Sequence, residues 1–213
     1  MKKLFLSLIV LLVMTLCIAD SFAGDISKAN VGQIQSASLT TNSQQKETVM
    51  LKQYWQIWCY DKNGNLKWYD EFTNLVPTVG LNKYLDCTLK TGCTSPAWYV
   101  GLITGPGGGN TYAAADTMAS HSGWSENTTY SNATRPTWTP GTISNGSVDN
   151  SASKAQFNIN GTATIAGSFM VDNSTKGGTT GTLIGEGNYS GGDKSVGNGD
   201  TLNVQVTCSM TSS

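Results

Sequence analysis

Apolar and polar side chains alternate in twos along much of this chain, the period of strands that bury one face. Val49 to Tyr60 (VMLKQYWQIWCY) is dense in β-branched and aromatic residues, and Leu66 to Phe72 (LKWYDEF) repeats the alternation. Asp61-Lys62-Asn63-Gly64 lies between them with turn chemistry, so the two runs predict a hairpin. Its tryptophans, Trp55, Trp58 and Trp68, are expected in or beside the first sheet. Ala97 to Ile103 (AWYVGLI) is apolar throughout, as in a strand covered on both faces. Ser153 to Ile159, Gly161 to Val171, Leu183 to Tyr189 and Leu202 to Met210 alternate again, with turn-rich connectors between them. A helix is predicted over Thr78 to Leu89 (TVGLNKYLDCTL), where Val79, Tyr84, Leu85 and Leu89 fall roughly on one face. About seven to nine strands at this spacing predict a mainly β, two-sheet sandwich of jelly-roll-like type with one short helix.

The first residues follow a different pattern. Two lysines precede an apolar run from Leu4 to about Ala19, and the small residues Ser21 and Ala23 come before Gly24. That order predicts a secretory signal over residues 1–23 and export to the periplasm, cell surface or extracellular space. Residues 24–48 are polar and irregular, which predicts an extended or disordered arm, and 49–213 forms the sandwich domain. No second long apolar run follows, so no membrane partner is expected once the signal is cleaved.

Composition narrows the partners. The net charge is -1, with 13 basic and 14 acidic residues among 213, so nothing steers the chain toward nucleic acid. Beyond Cys17 in the leader stand Cys59, Cys87, Cys93 and Cys208, and an even set in an exported chain favours disulfides over metal ligation. Spacing allows three connectivities. The short loop DCTLKTGC favours Cys87 with Cys93, and elimination then pairs Cys59 with Cys208.

Candidate chemistry is sparse. The glycine-rich stretch Thr104 to Asn110 follows a strand but lacks the Lys-Ser/Thr ending and helix of a phosphate loop, so it is expected to be a flexible connector. Asp116 is placed to cap one helical turn through Met118 and Ala119. His121 near Asp116 and Glu126 is the one histidine, and an imidazole without a companion makes a poor metal site. Most aspartates sit at turns, and no EF-hand, nucleophile elbow or triad spacing is present. The expectation is a non-enzymatic protein with no cofactor, no metal and no catalytic residues. Trp98, Tyr99, Trp124, Tyr130 and Trp138 are the candidate binding-surface aromatics, which a carbohydrate-binding module or adhesin would display as an exposed platform.

Taken in order, LKWYDEFTNLVPTVGLNKYLD, AWYVGL, AADTMASHSGW, YSNATRPTW, NSASKAQFNINGTATIAGSF, STKGGTTGTL and GDTLNVQVT resemble a family of small structural proteins encoded by tailed bacteriophages. The resemblance runs over roughly Trp55 to Thr207 and consists of many short matches. It implies a virion accessory protein that decorates or cements the head or attaches to the tail, built on a β-sandwich and acting by self-association or docking on a larger assembly. The leader and the cysteines depart from that pattern and point to recruitment as a secreted or surface protein. Two further readings are a glycan-binding module and an extracellular filament subunit whose arm completes a neighbour's sheet.

Overall fold

The computed structural model describes residues 49–212, so the expected signal and arm lie outside the described residues. In chain order the strands are β1 (Val49–Tyr60), β2 (Leu66–Thr73), β3 (Trp98–Thr104), β4 (Glu126–Asn127), β5 (Thr137–Trp138), β6 (Ser147–Asp149), β7 (Ala155–Asn158), β8 (Ala163–Val171), β9 (Leu183–Asn188), β10 (Lys194–Val196) and β11 (Thr201–Ser212). Helix α1 (Thr78–Leu89) stands between β2 and β3.

The hairpin forms where the alternation predicts it. Gly64 takes φ +83 in the turn, and the Asp61 carboxylate accepts from the Asn63 and Asn65 N–H groups at 2.8 and 2.9 Å. Strand β11 pairs antiparallel with β1 along its whole length, from Val49 opposite Ser212 to Tyr60 opposite Thr201. Strands β6 and β7 occupy successive stretches of the other edge of β11, giving a five-stranded sheet. In the six-stranded sheet β3 pairs with β8; β4 and β5 line the free edge of β3, and β9 and β10 that of β8. This is the mainly β, two-sheet sandwich with one helix expected from the sequence. A jelly-roll winding is compatible with it, since the first and last strands pair inside one sheet.

Backbone hydrogen bonds sew the two sheets together on both sides. Leu75, just past β2, exchanges bonds with Glu186 of β9 at 3.0 and 3.1 Å. On the opposite side Tyr130 bridges Ile159, and the Ser131 N–H donates to the Asn158 carbonyl at 2.8 Å. Between the sheets lie Trp55, Ile57, Phe72, Leu102, Phe157 and Val204. A second cluster of Ile103, Met118, Trp124, Phe169, Val171 and Leu183 covers the other side of the six-stranded sheet. Leu102 and Ile103 belong to different clusters because adjacent strand residues face opposite ways. The six-stranded sheet is therefore buried on both faces, and the long apolar run of β8 follows from that.

Helix α1 spans the residues expected, but its apolar face is only partly used. It meets β9 through Gly80, where an added Cβ would sit 2.9 Å from both the Ile184 Cα and the Leu183 carbonyl oxygen. That close backbone approach places Tyr84 against the core and leaves Leu81, Leu85 and Leu89 exposed. Two loop expectations are also corrected. Residues Thr117 to Ser120 form a tight turn closed by reciprocal backbone bonds instead of a helical turn. The glycine loop is pinned: the Gly107 N–H donates to Asp193 Oδ1 at 2.7 Å, and Asn188 Nδ2 donates to the Gly107 carbonyl at 2.9 Å.

Cys87 and Cys93 are bonded, closing the connection that follows α1. The expected bond between Cys59 and Cys208 is not formed, and both thiols are buried. Register explains the correction: Cys59 stands opposite Leu202 and Cys208 opposite Gln53, so the two lie six ladder positions apart. At about 3.3 Å per residue that is far beyond the roughly 7 Å limit for bridged Cα atoms. Alkylation of the unfolded, unreduced protein followed by peptide mass mapping is expected to modify Cys59 and Cys208 and spare Cys87 and Cys93. A linked Cys59–Cys208 peptide would contradict this register.

Candidate functional site

The five aromatics expected to form a platform are not brought together on a surface. Tyr130 is fully buried, and Trp124 and Trp138 retain 6% and 7% exposure. Trp98 and Tyr99 are half-buried. Each buried ring has an internal role. The Trp138 indole N–H donates across the sandwich to the Val206 carbonyl at 3.0 Å. Tyr130 meets Phe157 edge to face, with centroids 5.0 Å apart, and the Trp124 N–H donates to Glu186 at 2.6 Å.

The outer face of the five-stranded sheet instead carries exposed Tyr54 and Tyr69 and half-buried Trp58. Register sets its side chains in rows: Thr73, Tyr54 and Thr207; then Glu71, Gln56 and Gln205; then Tyr69, Trp58, Asn203 and Gln156. Trp58 and Tyr69 pack with centroids 5.3 Å apart, and Lys154 Nζ lies 5.1 Å over the Trp58 ring. Gln56 Nε2 donates to the Tyr69 hydroxyl at 2.9 Å, and Gln156 Nε2 to Asn203 Oδ1 at 3.2 Å. The hydroxyls of Tyr54 and Tyr69 both donate to Glu71, and those bonds, the Tyr54 one foremost, hold the Glu71 carboxyl below its ordinary range. The result is a broad face of amides and hydroxyls with an aromatic centre, pre-ordered by its own hydrogen bonds. The same alternation that marks Trp55, Ile57 and Cys59 as inward marks Tyr54, Gln56, Trp58 and Tyr60 as outward, so this face was readable in VMLKQYWQIWCY.

On the covered side of the other sheet, charged groups are buried as structure. Arg135 is 0% exposed. Its Nε and Nη2 donate to the two oxygens of Glu126 at 3.0 and 2.7 Å, and its Nη1 and Nη2 donate to the Asn173 and Gly178 carbonyls at 2.9 and 2.7 Å. The guanidinium also lies 5.1 Å over the Phe169 ring. Glu126 is thus committed to Arg135 and is unavailable to His121. His121 stacks on Trp124 at 3.9 Å, with Nδ1 3.3 Å from the Trp124 carbonyl oxygen, which gives the imidazole a structural place. Among the described residues no group of three or more His, Cys, Asp or Glu side chains is placed to hold a metal.

Glu186 is also 0% exposed, and its Oε1 has no hydrogen-bond partner. Burial lifts its carboxyl from an ordinary 4.5 to about 8; the Trp124 hydrogen bond opposes the rise and the nearby Asp116 carboxyl adds to it.

The chain matches no protein-family model and no curated protein.

Two outcomes follow. Arg135→Met is expected to lower stability by about 3–5 kcal/mol in urea denaturation, because Glu126 is left as an uncompensated buried charge. Glu186 binds its proton more tightly folded than unfolded, so its contribution is fully present below the ordinary carboxyl value and is lost as pH rises through about 8. Denaturation midpoints measured from pH 4 to 9 are expected to fall with rising pH for the natural chain, and Glu186→Gln is expected to flatten that slope.

Proposed function

We propose that this protein is a non-enzymatic structural subunit that assembles with further copies of itself through the outer face of its five-stranded sheet. The observation that carries the reading is that face: a mostly polar, pre-ordered surface centred on Tyr54, Trp58 and Tyr69. Protein interfaces combine a desolvated aromatic centre with a polar rim in this way. The opposite sheet offers no equivalent, since loops carrying Met118 and Trp124 cover it. The resemblance to structural proteins of tailed phages points the same way, and the leader-like start favours an exported assembly.

A glycan-binding reading has one specific support, the Trp58–Tyr69 pair flanked by Gln56 and Glu71, which supplies a ring face beside amide and carboxylate partners. Sedimentation of the oxidised chain from Gly24 to Ser213 separates the two. Self-assembly predicts species larger than a monomer that revert to monomer in Trp58→Ala/Tyr69→Ala while the far-ultraviolet circular dichroism is unchanged. A monomer at every concentration that binds a glycan array through Trp58 would overturn the subunit reading.

A further inference from the structure

Among the described residues, the core is open to the outside at one end of the sandwich. A groove of about 710 Å³ runs between α1, the segment from Ser95 to Trp98, and the segment from Thr137 to Gly141. Met170, Ile184 and Cys208 form its floor, and Trp98 and Trp138 stand in its wall. Its volume falls inside the roughly 300–1,000 Å³ range of small-molecule sites. A second hollow of about 230 Å³ shares Tyr84, Ile143, Val148 and Cys208 with it and continues past Leu51 and Met210, so the apolar track is elongated.

The lining specifies the charge of an occupant. Among the described residues lining the groove none is Asp, Glu, Lys, Arg or His. The titratable groups present stay neutral: burial pushes the Cys208 thiol up to about 11 and drives the Tyr84 phenol well above its ordinary value. An ion seated on the floor would lose its hydration without gaining a partner, and that cost favours an uncharged occupant. The polar side-chain groups of the lining are the hydroxyls of exposed Ser95, Thr137, Thr139 and Thr88, the last already donating to the Tyr84 carbonyl at 2.8 Å, together with the half-buried Tyr84 phenol and the indoles of Trp98 and Trp138. An apolar floor beneath hydroxyl groups matches a molecule with a hydrocarbon body and an uncharged, hydrogen-bonding head.

From these features we infer that the groove is a binding site for a neutral amphiphile, with its chain along Met170 and Cys208 and its head among the hydroxyls. This site is separate from the sheet face proposed for assembly. The Cys87–Cys93 bond lies beside its rim, since Cys87 precedes Thr88 and Cys93 stands two residues before Ser95.

The test uses the oxidised chain from Gly24 to Ser213 and the neutral fluorophore N-phenylnaphthylamine. Saturable binding with energy transfer from tryptophan is expected, and monolaurin should displace the probe at concentrations about ten-fold lower than laurate, the charged molecule of the same chain length. Ala97→Trp and Thr88→Trp fill the groove from exposed positions and should each weaken probe binding by about ten-fold or more, whereas Lys62→Ala in the exposed turn after β1 should leave it unchanged. Because both filling substitutions lie outside the core, failure of one to fold leaves the other as the test. Absence of saturable binding, equal displacement by laurate and monolaurin, or insensitivity to both filling substitutions would overturn the inference.

Discussion

The buried pair of Arg135 and Glu126 is the interaction on which the covering of the six-stranded sheet rests. A guanidinium removed from water is tolerated only when its donors are met, and here the carboxylate and the carbonyls of Asn173 and Gly178 meet them. The two bonds to the Asn173 and Gly178 carbonyls fasten the turn after β8 to the segment after β4, and the two to Glu126 tie that segment back to β4. Glu126 also accepts from the Gly177 N–H at 2.8 Å, and Lys176 Nζ reaches the Tyr130 and Asn132 carbonyls at 2.8 and 2.9 Å, so the fastening is made several times over. Loops held in this way keep Trp124, Met118 and Phe169 covered, and the six-stranded sheet becomes an interior layer.

The free surface follows from that arrangement. With one sheet covered on both sides, the outer side of the five-stranded sheet is, among the described residues, the broad strand surface left to solvent. Its order comes from the ladder of β1 with β11, in which twelve residue pairs fix which side chains stand in a row. A one-residue slip would turn Trp55 and Ile57 outward and Tyr54 and Trp58 inward, so the core and the face specify the register together. Glu186 contributes at the seam, where its backbone bonds join the sheets while burial favours the protonated form of its carboxyl.

Much of this was legible in the chain because strand periodicity and hairpin chemistry are local signals. The hairpin, the helix over Thr78 to Leu89 and the long strands appear where alternation places them. Strands β4, β5, β6 and β10 were not foreseen, since two or three residues are too few to show a period. The disulfide pairing of Cys59 and Cys208 failed because elimination ignores register, which depends on how distant strands meet. The aromatic platform failed for a related reason. Trp124, Tyr130 and Trp138 lie in loop-rich sequence that looks exposed, yet Trp124 packs on Phe169 beneath the buried Arg135, while Phe157 and the Val206 carbonyl hold Tyr130 and Trp138 in the core, contacts with residues distant in the chain.

Oxidative side-chain footprinting of the oxidised protein tests most directly which sheet face is free. Rapid labelling of Tyr54, Trp58 and Tyr69 in a dilute, dissociated sample is expected, with Trp124, Tyr130 and Trp138 protected until the protein unfolds. Fast labelling of Trp124 and Trp138 with protection of Trp58 and Tyr69 would contradict the assignment and move the functional surface to the other sheet.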